Sequence, residues 1–314
     1  MKQAVLSLIL AFVTLTANCQ ESQSAYNFLR LPVSAHAAAL GGDNISIVED
    51  DEALIFHNPA LLSSVTDKTI DFNYMSYMSG SNVLSAAFNR VVKERASWAV
   101  SAQYADYGKM KETNEDNVQL GEFSARDISV AGYFSYMLTS HLAGGITMKF
   151  IQSYLGDYNS FGMGVDLGLN YYSDKHDLSL SVVAKNLGGQ LDAYDENYDH
   201  MPFDVQMGVS KGLRSFPLRL SATLVDLNHL DYKFINHLVL GADFLLSDNI
   251  WIGGGYNFRR VDEMKIQSAD GKSSHGAGLS IGAGLNLERF KINFAYGKYH
   301  VSSSSVLVNA AFSL

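Results

Sequence analysis

From Thr69 to the last residue, hydrophobic and polar positions alternate with a period of two, the repeat of strands whose two faces meet different surroundings. Residues 161–172 show it most clearly. Phe161, Met163, Val165, Leu167, Leu169 and Tyr171 form one face, with Gly162, Gly164, Asp166, Gly168, Asn170 and Tyr172 on the other. Residues 277–287 and 290–297 repeat the scheme, with Phe290, Ile292, Phe294 and Tyr296 set against Lys291, Asn293, Ala295 and Gly297. The non-apolar face is small and mildly polar, whereas the outer face of a soluble sandwich usually carries charge. This suits a barrel interior, with the apolar face turned to lipid.

Counting such segments predicts about 14 strands, an even number that suits a bacterial barrel with both ends in the periplasm. They fall near 69–77, 81–92, 96–107, 124–138, 141–154, 159–172, 177–187, 204–211, 217–226, 236–245, 250–260, 276–287, 290–299 and 304–314. The connections support the count. Those after even-numbered strands are tight, as at Lys93-Glu94-Arg95, Thr139-Ser140 and Glu288-Arg289. The long ones, 108–123, 188–203, 227–235 and 261–275, all follow odd-numbered strands. Membrane barrels have one rim of short turns and one of long loops. The chain finishes on Val306, Val308, Ala310, Phe312 and Leu314, a pattern similar to the terminal strand read by barrel-assembly machinery.

Residues 20–67 do not alternate. Ala35 to Leu40 followed by Gly41-Gly42 predicts a short helix closed by a turn. This segment is too apolar to dangle in water, and the Gly- and Ser-rich lumen face leaves volume to fill. The expectation is an N-terminal hatch inside the barrel, packed by Phe28, Leu29, Phe56 and Leu61, with Asn58-Pro59 fixing a turn. Ahead of it, MKQAVLSLILAFVTLTANCQ reads as a secretory signal. The division is then 1–19 signal peptide, 20–67 hatch and 68–314 barrel. Cys19 has a second reading, as the lipidated first residue of a lipobox-like Leu15-Thr16-Ala17-Asn18-Cys19.

Composition narrows the chemistry. Hydrophobic residues make up 47% of the chain and charged residues 18%, below the usual share of about 25%. Yet no stretch after residue 19 reads as an apolar helix of about 20 residues, the length of a bilayer span. A net charge of -9 argues against nucleic acid, which needs a basic face. One cysteine excludes internal disulfides and cysteine-built zinc sites. No Walker A loop, HExxH pair or Gly-x-Ser-x-Gly elbow is present, so no enzyme, cofactor or metal site is expected. Gly253-Gly254-Gly255 reads as room for close packing, and His57 as a packed or capping side chain. Asp192, Asp195, Glu196 and Asp199 are dense enough in oxygen to suggest Ca²⁺, but their spacing fits no EF-hand and a solvated loop accounts for them.

The runs Tyr26-Asn27-Phe28-Leu29-Arg30-Leu31-Pro32, Ala35-His36-Ala37-Ala38-Ala39-Leu40-Gly41-Gly42 and Phe56-His57-Asn58-Pro59-Ala60-Leu61 closely resemble the PorQ-type outer-membrane proteins of the Bacteroidetes type IX secretion system. The Asn-Pro-Ala segment also resembles barrels related to the long-chain fatty-acid transporter, in which an N-terminal hatch plugs 14 strands. The resemblance implies a non-enzymatic protein of the outer membrane of a Gram-negative bacterium, in contact with lipid, that tethers a cell-surface protein of the secretion and attachment machinery. Its rival is a transporter of fatty acids or other hydrophobic small molecules. The long loops set Tyr194, Tyr198, Phe203 and Tyr232 among acids such as Asp231, Asp262, Glu263 and Asp270. Aromatics on a polar background suit protein contact, so Tyr194, Tyr198 and Tyr232 are the candidate partner-contact residues.

Overall fold

Each backbone group inside a bilayer must find its partner within the protein, and a strand can do so only in a ring without edges. The computed structural model has this form. It describes residues 24–314 apart from 79, 115, 117, 214, 248, 265, 269, 270, 274, 275, 301 and 302; the signal peptide and Cys19 lie outside the described residues. Fourteen antiparallel strands close one barrel: β1 (Thr69–Ser76), β2 (Asn82–Val92), β3 (Ala96–Thr113), β4 (Gln119–Met137), β5 (Leu142–Leu155), β6 (Tyr158–Ser173), β7 (Leu178–Asp192), β8 (Asp204–Leu213), β9 (Leu218–Leu224), β10 (Leu238–Ser247), β11 (Ile250–Asn257), β12 (Leu279–Asn286), β13 (Phe290–His300) and β14 (Ser303–Ser313). Neighbours in sequence pair, and β14 returns to β1 from Thr69↔Ser313 to Ser76↔Val306. The alternation of the C-terminal strand is therefore what joins the two ends of the ring.

The faces fall as the period-two pattern requires. Leu167, Leu169 and Tyr171 of β6 are exposed, while Gly164, Asp166 and Asn170 are buried. The same holds in β12, where Leu279, Ile281 and Leu285 face out. Large aromatics stand outward at the short-turn rim, among them Phe72, Trp98, Tyr136, Tyr171, Phe290 and Phe312, as in the girdles of membrane barrels. Among the described residues no helix is long and apolar enough to cross a membrane.

Several boundaries differ from the sequence reading: β7 runs on to Asp192 instead of ending at 187, and two further differences have a clear physical cause. The segment 108–123 is a tall hairpin, not a loop: β3 and β4 stay paired past Lys109↔Ser124 to Glu112↔Gly121. Lys109 and Glu122 face each other across it at 3.3 Å. The polar residues hid the strands because a ribbon standing in water needs no apolar face. In addition, β11 stops at Asn257, short of residue 260. There the Asn257 side chain accepts from the Arg260 backbone N–H at 3.0 Å and starts helix α2 (Phe258–Glu263), an N-cap that competes with the strand. The rest of the 261–275 connection includes a small hairpin, Ile266–Ser268 with Gly271–Ser273.

Candidate functional site

Residues 24–67 are enclosed by the strands. Helix α1 (Ala35–Ala39) is capped by Ser34, whose hydroxyl accepts from Ala37 N–H at 3.2 Å and donates to Asp51. It ends at Gly41 and Gly42, whose φ values of 104° and 102° are open to glycine and strained for other residues. A second turn is built by Asn58 and Pro59. Asn58 Oδ1 accepts from Ala60 N–H at 3.0 Å, and Asn58 Nδ2 donates to the Ile45 carbonyl at 3.0 Å. Pro59 opens the 3₁₀ helix Pro59–Ser64, where its missing N–H costs nothing.

Inward glycines admit this backbone. A Cβ added to Gly145 of β5 would overlap the main chain of Pro59 and Ala60, and one on Gly255 of β11 would overlap Leu40 and Gly41. These two walls sit on opposite arcs of the ring, so the segment bridges the lumen. Phe28, Leu29 and Leu61 are buried in it, and half-buried Phe56 packs edge-on against Tyr133 at 5.9 Å. Gly253 and Gly255 make room for Leu40, the close packing expected of that glycine run. His57 accepts a hydrogen bond from the Ser34 backbone N–H at 3.4 Å. Burial, and then Lys185, hold its pKa well below the ordinary histidine value, which keeps the ring a neutral acceptor.

The strongest tie between hatch and wall is a ring of four ionisable side chains, two of them, His36 and Asp243, fully buried. His36 of α1 meets Glu49 through Nδ1 at 2.8 Å and Asp243 of β10 through Nε2 at 2.9 Å. Arg219 of β9 completes it, with Nη2 on Glu49 at 2.6 Å and Nε on Asp243 at 2.9 Å. The His36 ring also lies on the Trp251 indole, with centroids 3.5 Å apart and planes within 4°. Burial works against the His36 charge, but Glu49 and Asp243 outweigh it and raise the pKa to about 9. Glu49 moves the other way: burial opposes its charge, and Arg219 and His36 hold it well below the ordinary glutamate value. At neutral pH His36 is therefore protonated and Glu49 ionised.

Linkage fixes the sign. A histidine whose pKa rises on folding stabilises in full below its ordinary value of 6.5 and progressively less as pH climbs through about 9. Thermal stability in detergent should fall between pH 7 and pH 10. His36→Asn should flatten that slope, which a pH series of melting curves on both proteins would check.

Nothing local in the sequence marks these residues, since His36 and Asp243 are 207 positions apart. The available signal was register. Arg219 and Asp243 are direct cross-strand partners, so a lumen-facing charge pair could have been read once β9 and β10 were aligned.

The long-loop rim carries the predicted contact residues in three different settings. Tyr198 is exposed (63%). Tyr194 instead turns inward, half-buried, and donates its hydroxyl to Ser153 of β5; a phenol so placed braces the mouth of the barrel. Tyr232 is half-buried, stacked on His229 at 5.1 Å and under the Arg259 guanidinium at 5.2 Å. The same loop exposes Leu230 (89%) and Phe234 (72%), which the sequence reading passed over. Among the described residues no three His, Cys, Asp or Glu side chains gather as a metal ion would need. Asp195 spends one oxygen on the Asn197 N–H, as in a solvated loop.

Below this rim, between hatch and wall, lies a cavity of about 170 Å³. Its lining is mostly polar and charged, including Lys185, Asn186, Gln206, Arg259 and Arg260.

The family model of the type IX secretion system membrane proteins PorP/SprF matches residues 117–308, more than half of the chain. No curated protein matches it in sequence. Among solved structures, the Pseudomonas putida toluene transporter TodX is similar at TM-score 0.58 and 12% identity, over 90% of this chain and 96% of that one. The monoaromatic hydrocarbon channel CymD is similar at TM-score 0.61 and 12% identity, over 91% and 98%. At such identities the likeness is one of fold.

Proposed function

Since this chain belongs to the PorP/SprF family of type IX secretion system membrane proteins, we propose that it is the PorQ-type member of that machinery, a non-enzymatic outer-membrane barrel that holds a partner protein at the cell surface. The observation that carries this reading is a lumen occupied by the chain's own N-terminal segment beneath a rim that exposes Tyr198, Leu230 and Phe234. In the orientation usual for such barrels the short-turn rim lies in the periplasm and the long loops outside. The exposed aromatic and aliphatic side chains then stand among acids on the outer surface, the composition of a protein-contact patch. Lipid covers the apolar outer wall, and the net charge of -9 speaks against nucleic acid as a further partner.

The rival, transport of fatty acids or other hydrophobic molecules, draws on the printed functions of TodX and CymD. A hydrocarbon conduit needs an apolar groove with a few polar anchors. The cavity under the rim instead presents Lys185, Gln206 and Arg260, a lining that repels hydrocarbon.

The test spares the loop backbones, because the 193–203 connection also secures the hatch: Ala25 N–H donates to the His200 carbonyl at 2.9 Å. The triple variant Tyr198→Ser, Leu230→Ser, Phe234→Ser should assemble as a heat-resistant barrel and release its surface partner into the medium. Retention of the partner together with loss of uptake of a hydrophobic ligand would hand the case to transport.

A further inference from the structure

A buried donor without an acceptor is costly, and native proteins leave few of them. Three line the one cavity beneath the long-loop rim. Lys185 is buried as a residue (8% exposed); its ammonium makes no hydrogen bond or salt bridge among the described residues, keeps a little solvent access, and has Asp43 as a charged neighbour. Acids flank Lys185 on both neighbouring strands and are already taken: Asp166 on β6 binds Lys149 at 2.7 Å and accepts from the Asn186 N–H at 2.7 Å, and Asp204, its direct partner on β8, is bonded to Gln206 and Asp226. A register shift in β7 opposite Asp166, with Asn186 in the left-handed region at φ 59°, turns both Lys185 and Asn186 inward. The second donor is Arg260, held by Nη2 on the Gly41 carbonyl at 2.8 Å while its buried Nη1 has no partner. The third is the buried hydroxyl of Tyr299. Its ring lies under the Arg260 guanidinium at 3.9 Å, a group that only donates, so the O–H proton is left without an acceptor. Beside them the buried Gln206 Oε1 lacks a donor.

The carboxylates around the cavity are engaged elsewhere. Asp226 pairs with Arg259 and Arg30, and Glu263 with Arg259. Asp204 accepts from Gln206 Nε2 and from the Asp226 N–H, both at 2.6 Å. Asp43 accepts from Asn257 at 3.2 Å and is the one carboxylate that also feels Arg260 and Lys185, without a hydrogen bond to either among the described residues. They leave the site close to neutral overall, which suits a monoanion better than a phosphate dianion. We infer that this cavity is a binding site for a carboxylate with a neighbouring N–H, the anion held by Lys185, Arg260 and Tyr299 and the N–H received by Gln206. Its volume of about 170 Å³ accommodates a side-chain-sized group, each water of liquid volume taking about 30 Å³. Two sources share this chemistry: an acidic side chain of a protein docked on the rim, which rests on the tethering reading, and a free small acid, which does not.

N-acetylglycine, a carboxylate beside one amide N–H, is the probe. Calorimetric titration into the full-length barrel in detergent should give saturable heat, and uncharged N-acetylglycinamide should give none. Lys185→Met should weaken binding about tenfold or more, and Tyr299→Phe about threefold, as expected for charged and neutral hydrogen bonds. Tyr299→Phe, which deletes one oxygen, keeps the test open should the first variant misfold. Absence of saturable binding, or wild-type affinity in a correctly folded Tyr299→Phe and Lys185→Met pair, would overturn the site. With the partner bound, excess N-acetylglycine that frees it identifies an acidic side chain as occupant. A partner that stays while the probe binds assigns the site to a free acid. If no partner co-purifies, tethering fails and the titration alone still decides the site.

Discussion

Steady ionic current through planar bilayers is the expected result of deleting residues 24–60, where the intact protein should stay closed. The strands face the lumen with Gly, Ser, Asn and Asp, as at Gly145, Gly168, Asn170 and Gly255, and these side chains are too small to meet across a ring of this size. What fills the space is the hatch: Leu40, Ile45, Leu54 and Leu61 are all at or below 1% exposure. Taking it away leaves a polar, wettable passage, with the outward apolar wall still matched to lipid. Because Thr69 starts the first strand, the ring and its β1–β14 seam remain. A deletion that inserts in bilayers yet carries no current would show that another part of the chain closes the barrel.

Arg219→Leu should be the most damaging single substitution in the hatch interface. It leaves Glu49 and Asp243 facing each other across one protonated histidine, with Asp243 fully buried and Glu49 mostly so. Breaking a buried ion pair by removing one partner costs about 3–5 kcal/mol, whereas exposed pairs such as Arg90–Asp67, at 3.2 Å with both side chains roughly 40% exposed, contribute about 0–1 kcal/mol. The expected readout is a lowered melting temperature and flickering current as the hatch loosens. Adding Glu49→Gln should recover part of the loss, since it removes the orphaned charge. A single variant as stable and as silent as the wild type would mean that packing alone holds α1.

The barrel was legible because lipid imposes a strict rule: every second side chain must be apolar, and residues 161–172 obey it without exception on the outer face. Where the rule lapses, reading failed for the same reason. The hairpin above Lys109 and Ser124 stands clear of lipid, so its strands carry Lys111, Glu112 and Glu122 and read as a loop. The fit between Leu40 and Gly255, and the charge ring that joins α1 to β9 and β10, depend on residues brought together by barrel curvature, which a linear pattern does not encode. Tyr194 and Tyr198 illustrate the limit at the rim. They sit four positions apart in one acidic loop and are chemically alike, yet one is tied to Ser153 and the other meets solvent. The aromatic content of a loop does not say which of its rings meet solvent. The register shift at Lys185 was hidden too, since alternation predicts that only one of two consecutive residues points inward.

The hatch touches walls on both arcs of the ring, and it joins β1 through the short run from Val65 to Lys68. That arrangement sets an order of events during biogenesis. A pre-closed cylinder could not be filled afterwards, because the hatch backbone fits tightly against Gly145 on one arc and Gly255 on the other, and a closed wall would have to part for it to seat. Residues 24–67 therefore behave as a template around which the strands are laid down, and the seam between β1 and β14 is the last stitch. Assembly machinery handling this chain receives its plug first and its closing strand last, so a premature stop anywhere before β14 yields an open sheet wrapped on a template with nothing to seal it.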